Sequence, residues 1–104
     1  MQKVKGMHFV CRDDTNVLDL KDGTFTTGVW AVDKRHCDPL GYYVALHQSK
    51  STLSYRQGVV IGWEPTMHEG RERVTFTVRD DGQPREWHGA GTGEKGYFRV
   101  DSQG

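Results

Sequence analysis

The sequence predicts a mainly β fold (β-rich α+β), a single small barrel-like domain with one or two short helices. Three observations carry this. The chain has 13 glycines against three alanines, and its apolar runs are short and rich in Val, Phe, Tyr and Thr, residues that suit strands rather than helices. In "RVTFTVR" (residues 73–79), Val74, Phe76 and Val78 alternate with Thr75, Thr77 and Arg79, the period of a strand with one face in a core. No window keeps an apolar stripe at helical spacing through three turns.

Element by element, strands are expected at residues 4–11 (VKGMHFVC), 25–32 (FTTGVWAV), 42–47 (YYVALH), 58–65 (GVVIGWEP), 73–79 and 96–100 (GYFRV). The segments "KDGT", "CDPLG" and "RDDGQP" supply the Asp, Gly and Pro that turns require. The continuous apolar run "GVVIGW" predicts a strand covered on both faces. Short helical turns are expected around 32–37 and 51–55. Closing such strands into a barrel hides edges that a chain of 104 residues has little else to cover.

That length sets one domain with one modest core over residues 1–104. No run approaches the roughly 18–20 apolar residues of a membrane span, and "MQKVKGMHFV" lacks the apolar stretch of a secretory signal, so a soluble, cytoplasmic protein is expected. Cys11 and Cys37 have no CxxC partners and read as inert thiols. Zero net charge excludes a generic basic nucleic-acid coat, so any anion site must be local.

Locally, residues 39–63 contain no acid while holding His47, Lys50 and Arg56. Within them "HQSKSTLSYRQ" (residues 47–57) gathers Ser49, Lys50, Ser51, Thr52, Ser54, Tyr55 and Arg56, all hydrogen-bond donors, and Tyr55 offers a ring for stacking. Other motifs carry less. "GAGTGEKGY" (residues 89–97) contains GxGxxG at Gly91, Gly93 and Gly96, but a strand rather than a helix follows, which removes the dinucleotide reading. It is also not a phosphate loop, since no Ser or Thr follows Lys95; it reads as a glycine loop that allows a close backbone approach, with Glu94, Lys95, Trp87 and His88 around it, either a structural turn or a rim of the binding site. His8, His36, His47, His68 and His88 show no HxH or HxxxH spacing, so no metal site and no cofactor is read. Cys37 with His36 or His47, and Ser49 beside Lys50, lack any GxSxG or SxxK signature, so no catalytic residue is assigned.

The order "ALHQSK" (residues 45–50), polar loop, "GVVIGW" (residues 58–63) resembles the central segment of the PUA-like superfamily, nearest its ASCH and EVE branches. His47, Ser49 and Lys50 match the His-x-Ser-Lys strand end, and Gly58 and Gly62 match the following glycine strand with one extra residue between them. The resemblance implies a pseudo-β-barrel with a cleft between barrel strands and a short helix, where a nucleobase or nucleic-acid backbone is held. The expected function is therefore a non-enzymatic binding module for nucleic acid, RNA or a modified base, or for a nucleotide-like small molecule. His47, Ser49 and Lys50 are nominated by the motif. Tyr55, Arg56, Lys34 and Trp30 join them on physical grounds, Trp30 as an aromatic wall and the cations against phosphate.

Two alternatives stand beside it. One is a small enzyme acting on RNA or nucleosides, with Lys50 and Glu64 or Glu94 as its acid–base pair. The other is an accessory domain in which Trp63, Trp87 and Tyr97 form a contact patch for a partner or a homodimer mate.

Overall fold

The computed structural model describes residues 2–32, 42–89, 93 and 95–101. Lys34, His36, Cys37, Glu94, most of the expected 32–37 turn, and the "CDPLG" turn lie outside the described residues. Seven strands, β1 (Gln2–Val10), β2 (Val17–Asp19), β3 (Thr24–Trp30), β4 (Tyr43–His47), β5 (Ser54–His68), β6 (Arg71–Asp80) and β7 (Lys95–Asp101), form one sheet in the order β2-β3-β6-β5-β4-β1-β7. The fold is mainly β, as the sequence predicts. No described helix is long and apolar enough to cross a membrane.

The sheet is strongly curled but not closed by hydrogen bonds among the described residues. Its two ends meet through side chains instead. Phe9 on β1 stacks on Trp30 of β3 with ring centroids 4.1 Å apart, and Lys95 at the start of β7 donates its ammonium to the Ala31 carbonyl at 2.5 Å. Inside the curl lie Met7, Phe9, Phe25, Val44, Leu46, Val60, Val74, Phe76 and Val78, all buried. Strands β1, β4 and β6 place alternate residues there, which is why the period-2 pattern of β6 was readable.

Turn chemistry follows the sequence closely. Asp22 and Gly23 take positive φ between β2 and β3, and Glu69 and Gly70 do the same in the two-residue hairpin joining β5 to β6. Past β6, the Asp80 carboxylate accepts from Gly82 N–H at 2.6 Å and that of Asp81 accepts from Gln83 N–H at 3.1 Å, side chains imitating a backbone turn.

Three expectations are corrected. The run "GVVIGW" is not covered on both faces: Val60 is buried, whereas Val59 and Ile61 are each 39% exposed. The segment that crosses the sheet, residues 81–89, is hydrogen-bonded to β5 at Ser54 and Gln57, ahead of these residues. Residues 51–55 form no helical turn, because Thr52 N–H closes a tight turn on the Ser49 carbonyl and β5 begins at Ser54. The short β2 and a 3-10 turn at Arg12–Asp14 were not anticipated. That turn is broken from within by Asp13 at φ 56°.

Candidate functional site: two clefts at the ends of β1 and β4

Strands β1 and β4 run parallel and end together, with Val10 opposite His47. The face of this pair turned away from the core carries Gly6, His8, Tyr43 and His47. A Cβ on Gly6 would stand 2.1 Å from the Tyr43 ring, so glycine there lets the ring lie across β1 and reach His8. His8 and His47 are both 0% exposed.

For neutral rings, the hydrogen bonds set which nitrogen carries each proton. The Thr52 carbonyl can only accept, so His47 donates from Nδ1 at 2.8 Å. Neutral His47 then has Nε2 as an acceptor, which takes the Nδ1–H of His8 at 2.8 Å. That leaves His8 Nε2 to accept from the Tyr43 hydroxyl at 2.6 Å. With both imidazoles neutral, the state their burial favours, every contact in the chain from Tyr43 through His8 and His47 to Thr52 is satisfied. Burial, followed by the nearby His47, His88 and Arg85, lowers the His8 pKa to about 3. Burial also lowers that of His47 and raises that of Tyr43 to about 12.

A strap covers these groups. Leaving β6, residues 81–89 latch onto β5 where Ser54 N–H donates to the Arg85 carbonyl at 2.9 Å and Arg85 N–H donates to the Ser54 hydroxyl at 2.8 Å. The Arg85 guanidinium sits 4.4 Å from the Tyr43 ring centroid and is paired with Asp81 at 2.7 Å. Trp87 packs against His47 and His8 at centroid distances of 5.2 and 5.8 Å, and His88 against His8 at 5.5 Å. A Cβ on Gly96 would fall 2.2 Å from the His88 carbonyl, so part of the glycine loop does allow a close backbone approach.

The His47–Thr52 bond also shapes the 47–53 loop. Ser49 and Thr52 bond each other through backbone and hydroxyl groups, Ser49 N–H to Thr52 Oγ1 at 3.3 Å and Thr52 Oγ1–H to the Ser49 carbonyl at 3.0 Å. Lys50 places its ammonium 5.4 Å from the Trp87 ring centroid. Between loop and strap opens a cleft of about 410 Å³ lined by Lys50, Ser51, Thr52, Leu53, Glu86 and Trp87.

A second cleft, of about 270 Å³, lies at the same end of the strands, between the turn after β1 and the end of β3. Trp30, Gly28 and Val29 face Cys11, Arg12, Thr15 and Asn16 across it. The turn passes through left-handed backbone at Asp13, Asp14 and Asn16, residue types that accept it with least strain. It is held from β5: the Tyr55 hydroxyl donates to the Cys11 carbonyl at 2.5 Å, and Arg56 donates to Asp14 at 2.8 and 2.9 Å and to Asp19 at 2.7 and 3.0 Å. Hydrogen bonds from Arg56 hold both carboxyls below their usual range. Burial pushes the Cys11 thiol up.

The nominated residues thus separate into two groups. Trp30 lines the smaller cleft, while Tyr55 and Arg56 pin its rim rather than facing a ligand, and Arg56 is bound to two carboxylates. Trp30 has a packing role as well, stacking on Phe9 and donating its indole N–H to Thr27 Oγ1 at 2.9 Å. Lys50 lines the larger cleft, Ser49 closes the turn that presents it, and His47 lies beneath, with both ring nitrogens engaged. Glu64 is exposed ten residues along β5 from Ser54, about 33 Å of strand, and so stands far from the loop that holds Lys50.

Sequence reasoning missed His8, Tyr43, Arg12 and Asn16, and took Trp87 as a contact residue or a neighbour of the glycine loop. A period-2 reading of "GMHFV" against "YYVAL" places His8 and Tyr43 on one face, a signal that was available. The fold of the strap had no local signature. Among the described residues no group of three or more His, Cys, Asp and Glu side chains is placed to hold a metal ion. No family model, curated protein or solved structure matches the chain.

Proposed function

We propose that this protein is a non-enzymatic module of PUA-like type that binds nucleic acid or a nucleotide-like ligand, with a base received in the cleft beside Trp30. The observation that carries this is the cleft itself: about 270 Å³, one aromatic wall, and a facing turn that supplies Arg12, Thr15 and Asn16. An indole offers stacking, asparagine and arginine read base edges or phosphate, and the backbone turn between them is fixed by Tyr55 and Arg56. A site of this build binds by shape and stacking without needing a general base.

Titration of single-stranded RNA, single-stranded DNA and free nucleosides at low and moderate salt, read by tryptophan fluorescence and anisotropy, tests the reading. Trp30→Leu keeps an apolar contact for Phe9 and should weaken binding by on the order of 10-fold, the scale of one lost stacking contact. Arg12→Gln should weaken binding and flatten its salt dependence. Absence of salt-sensitive binding to any of these ligands removes the proposal.

A further inference from the structure

We infer that the cleft between the 47–53 loop and Trp87 is a second nucleotide subsite, which makes the preferred ligand a single strand of at least two nucleotides rather than a free nucleoside. The inference rests on the base-binding reading of the Trp30 cleft. Three observations carry it.

The two clefts share one joint. Cys11, which lines the first, donates its N–H to the His47 carbonyl at 2.8 Å, and Asp13 N–H donates to Gln48 Oε1 at 3.2 Å. Lys50, which lines the second, is three residues past His47, a reach of at most about 11 Å of extended chain. In the inferred mode a short run of single-stranded backbone bridges the two clefts past this joint.

The second cleft also has the chemistry for one nucleotide. Trp87 gives a planar ring, Lys50 stands over it as a cation for phosphate, and Ser51 and Thr52 bring hydroxyls. Glu86 accepts hydrogen bonds, and on a base edge it pairs with an exocyclic amino group.

Finally, the cleft is built on a rigid support. Trp87 rests on the buried His8–His47 pair, and the loop is held by the His47 Nδ1–H bond to Thr52 and by the mutual bonds of Ser49 and Thr52. Little ordering is then required when a ligand arrives.

The test compares a mononucleotide with a mixed-sequence tetranucleotide, both as RNA and as DNA, on the full chain and on Lys50→Gln and Trp87→Leu. The tetranucleotide is expected to bind on the order of 10-fold tighter or more, the gain of a second stacked base. Lys50→Gln should reduce that gain and lower the slope of log affinity against log salt by about 0.7. Trp87→Leu should abolish the gain and leave the mononucleotide bound as before. Because Trp87 also packs on the histidines, Lys50→Gln serves as the variant that does not touch the buried cluster. Equal affinity for the two ligands, with Trp30-dependent mononucleotide binding intact, overturns the second subsite alone. No binding of either ligand overturns the base-binding reading with it.

Discussion

Lowering the pH should destabilise this protein through its buried histidines well before its carboxylates are protonated. The His8 pKa falls from an ordinary 6.5 to about 3 in the folded chain, because burial and three neighbouring basic groups oppose its charge. An unfolded chain binds a proton at His8 near 6.5, while the folded one does not until about 3. The stability involved is thus fully present above pH 6.5 and is lost progressively as the pH falls toward 3. At pH 5 the deficit from His8 is 1.5 pH units at about 1.4 kcal/mol each, or about 2 kcal/mol, whatever the folded-state value below that point. His47 shifts the same way and adds to it. The carboxylates of Asp14 and Asp19 are lowered from 3.8, so their loss begins further down and leaves the window from pH 7.5 to 5 to the histidines. For a domain of this size 2 kcal/mol corresponds to a fall in Tm of roughly 8–16 °C. Thermal unfolding followed by circular dichroism at pH 7.5, 6.0 and 5.0 measures it, alongside His8→Gln, whose slope should be shallower by the His8 share. A wild-type Tm that stays level across this range, or a variant with an unchanged slope, refutes the neutral-chain assignment.

Three further outcomes are expected. Gly6→Ala brings a methyl group into the Tyr43 ring and should cost about 1–3 kcal/mol or more in urea unfolding, with loss of the Tyr43–His8 hydrogen bond visible in the histidine NMR shifts. Arg56→Met removes charged hydrogen bonds to Asp14 and Asp19 and should destabilise by about 1–3 kcal/mol, while loosening the 11–16 turn as seen by faster amide exchange there. Cys11, buried and with its thiol pKa raised, should react with iodoacetamide far more slowly than a model thiol at pH 8, a difference that peptide mapping by mass spectrometry resolves and that denaturant should erase.

Much of the sheet was legible because strand formation is a local matter of period and turn chemistry. Val74, Phe76 and Val78 announced β6, and Asp22-Gly23 announced the turn into β3. What misled was the continuous run at residues 58–63, since coverage of a strand's outer face depends on what crosses it, and the strap stops at its first residues. The polar loop was singled out as a binding loop, but the roles within it were not separable by composition. A cation read from sequence is available to a ligand until folding brings carboxylates to it. Asp14 and Asp19, more than 35 positions from Arg56, did that.

The sequence by itself determined a β-rich fold, its main strands, the turns at residues 21–24 and 79–84, and a neutral molecule whose longest acid-free segment surrounds His47, Lys50 and Arg56. Tertiary structure alone decided which of these residues face open space. Parallel pairing of β1 with β4 brought His8 beside His47 and joined Tyr43 to them, a contact between segments 35 and 39 residues apart. The crossing of residues 81–89 buried that pair and placed Trp87 under Lys50. Both outcomes are long-range: burial and hydrogen-bond satisfaction are settled by which segments meet, and no pattern within one segment encodes its partner.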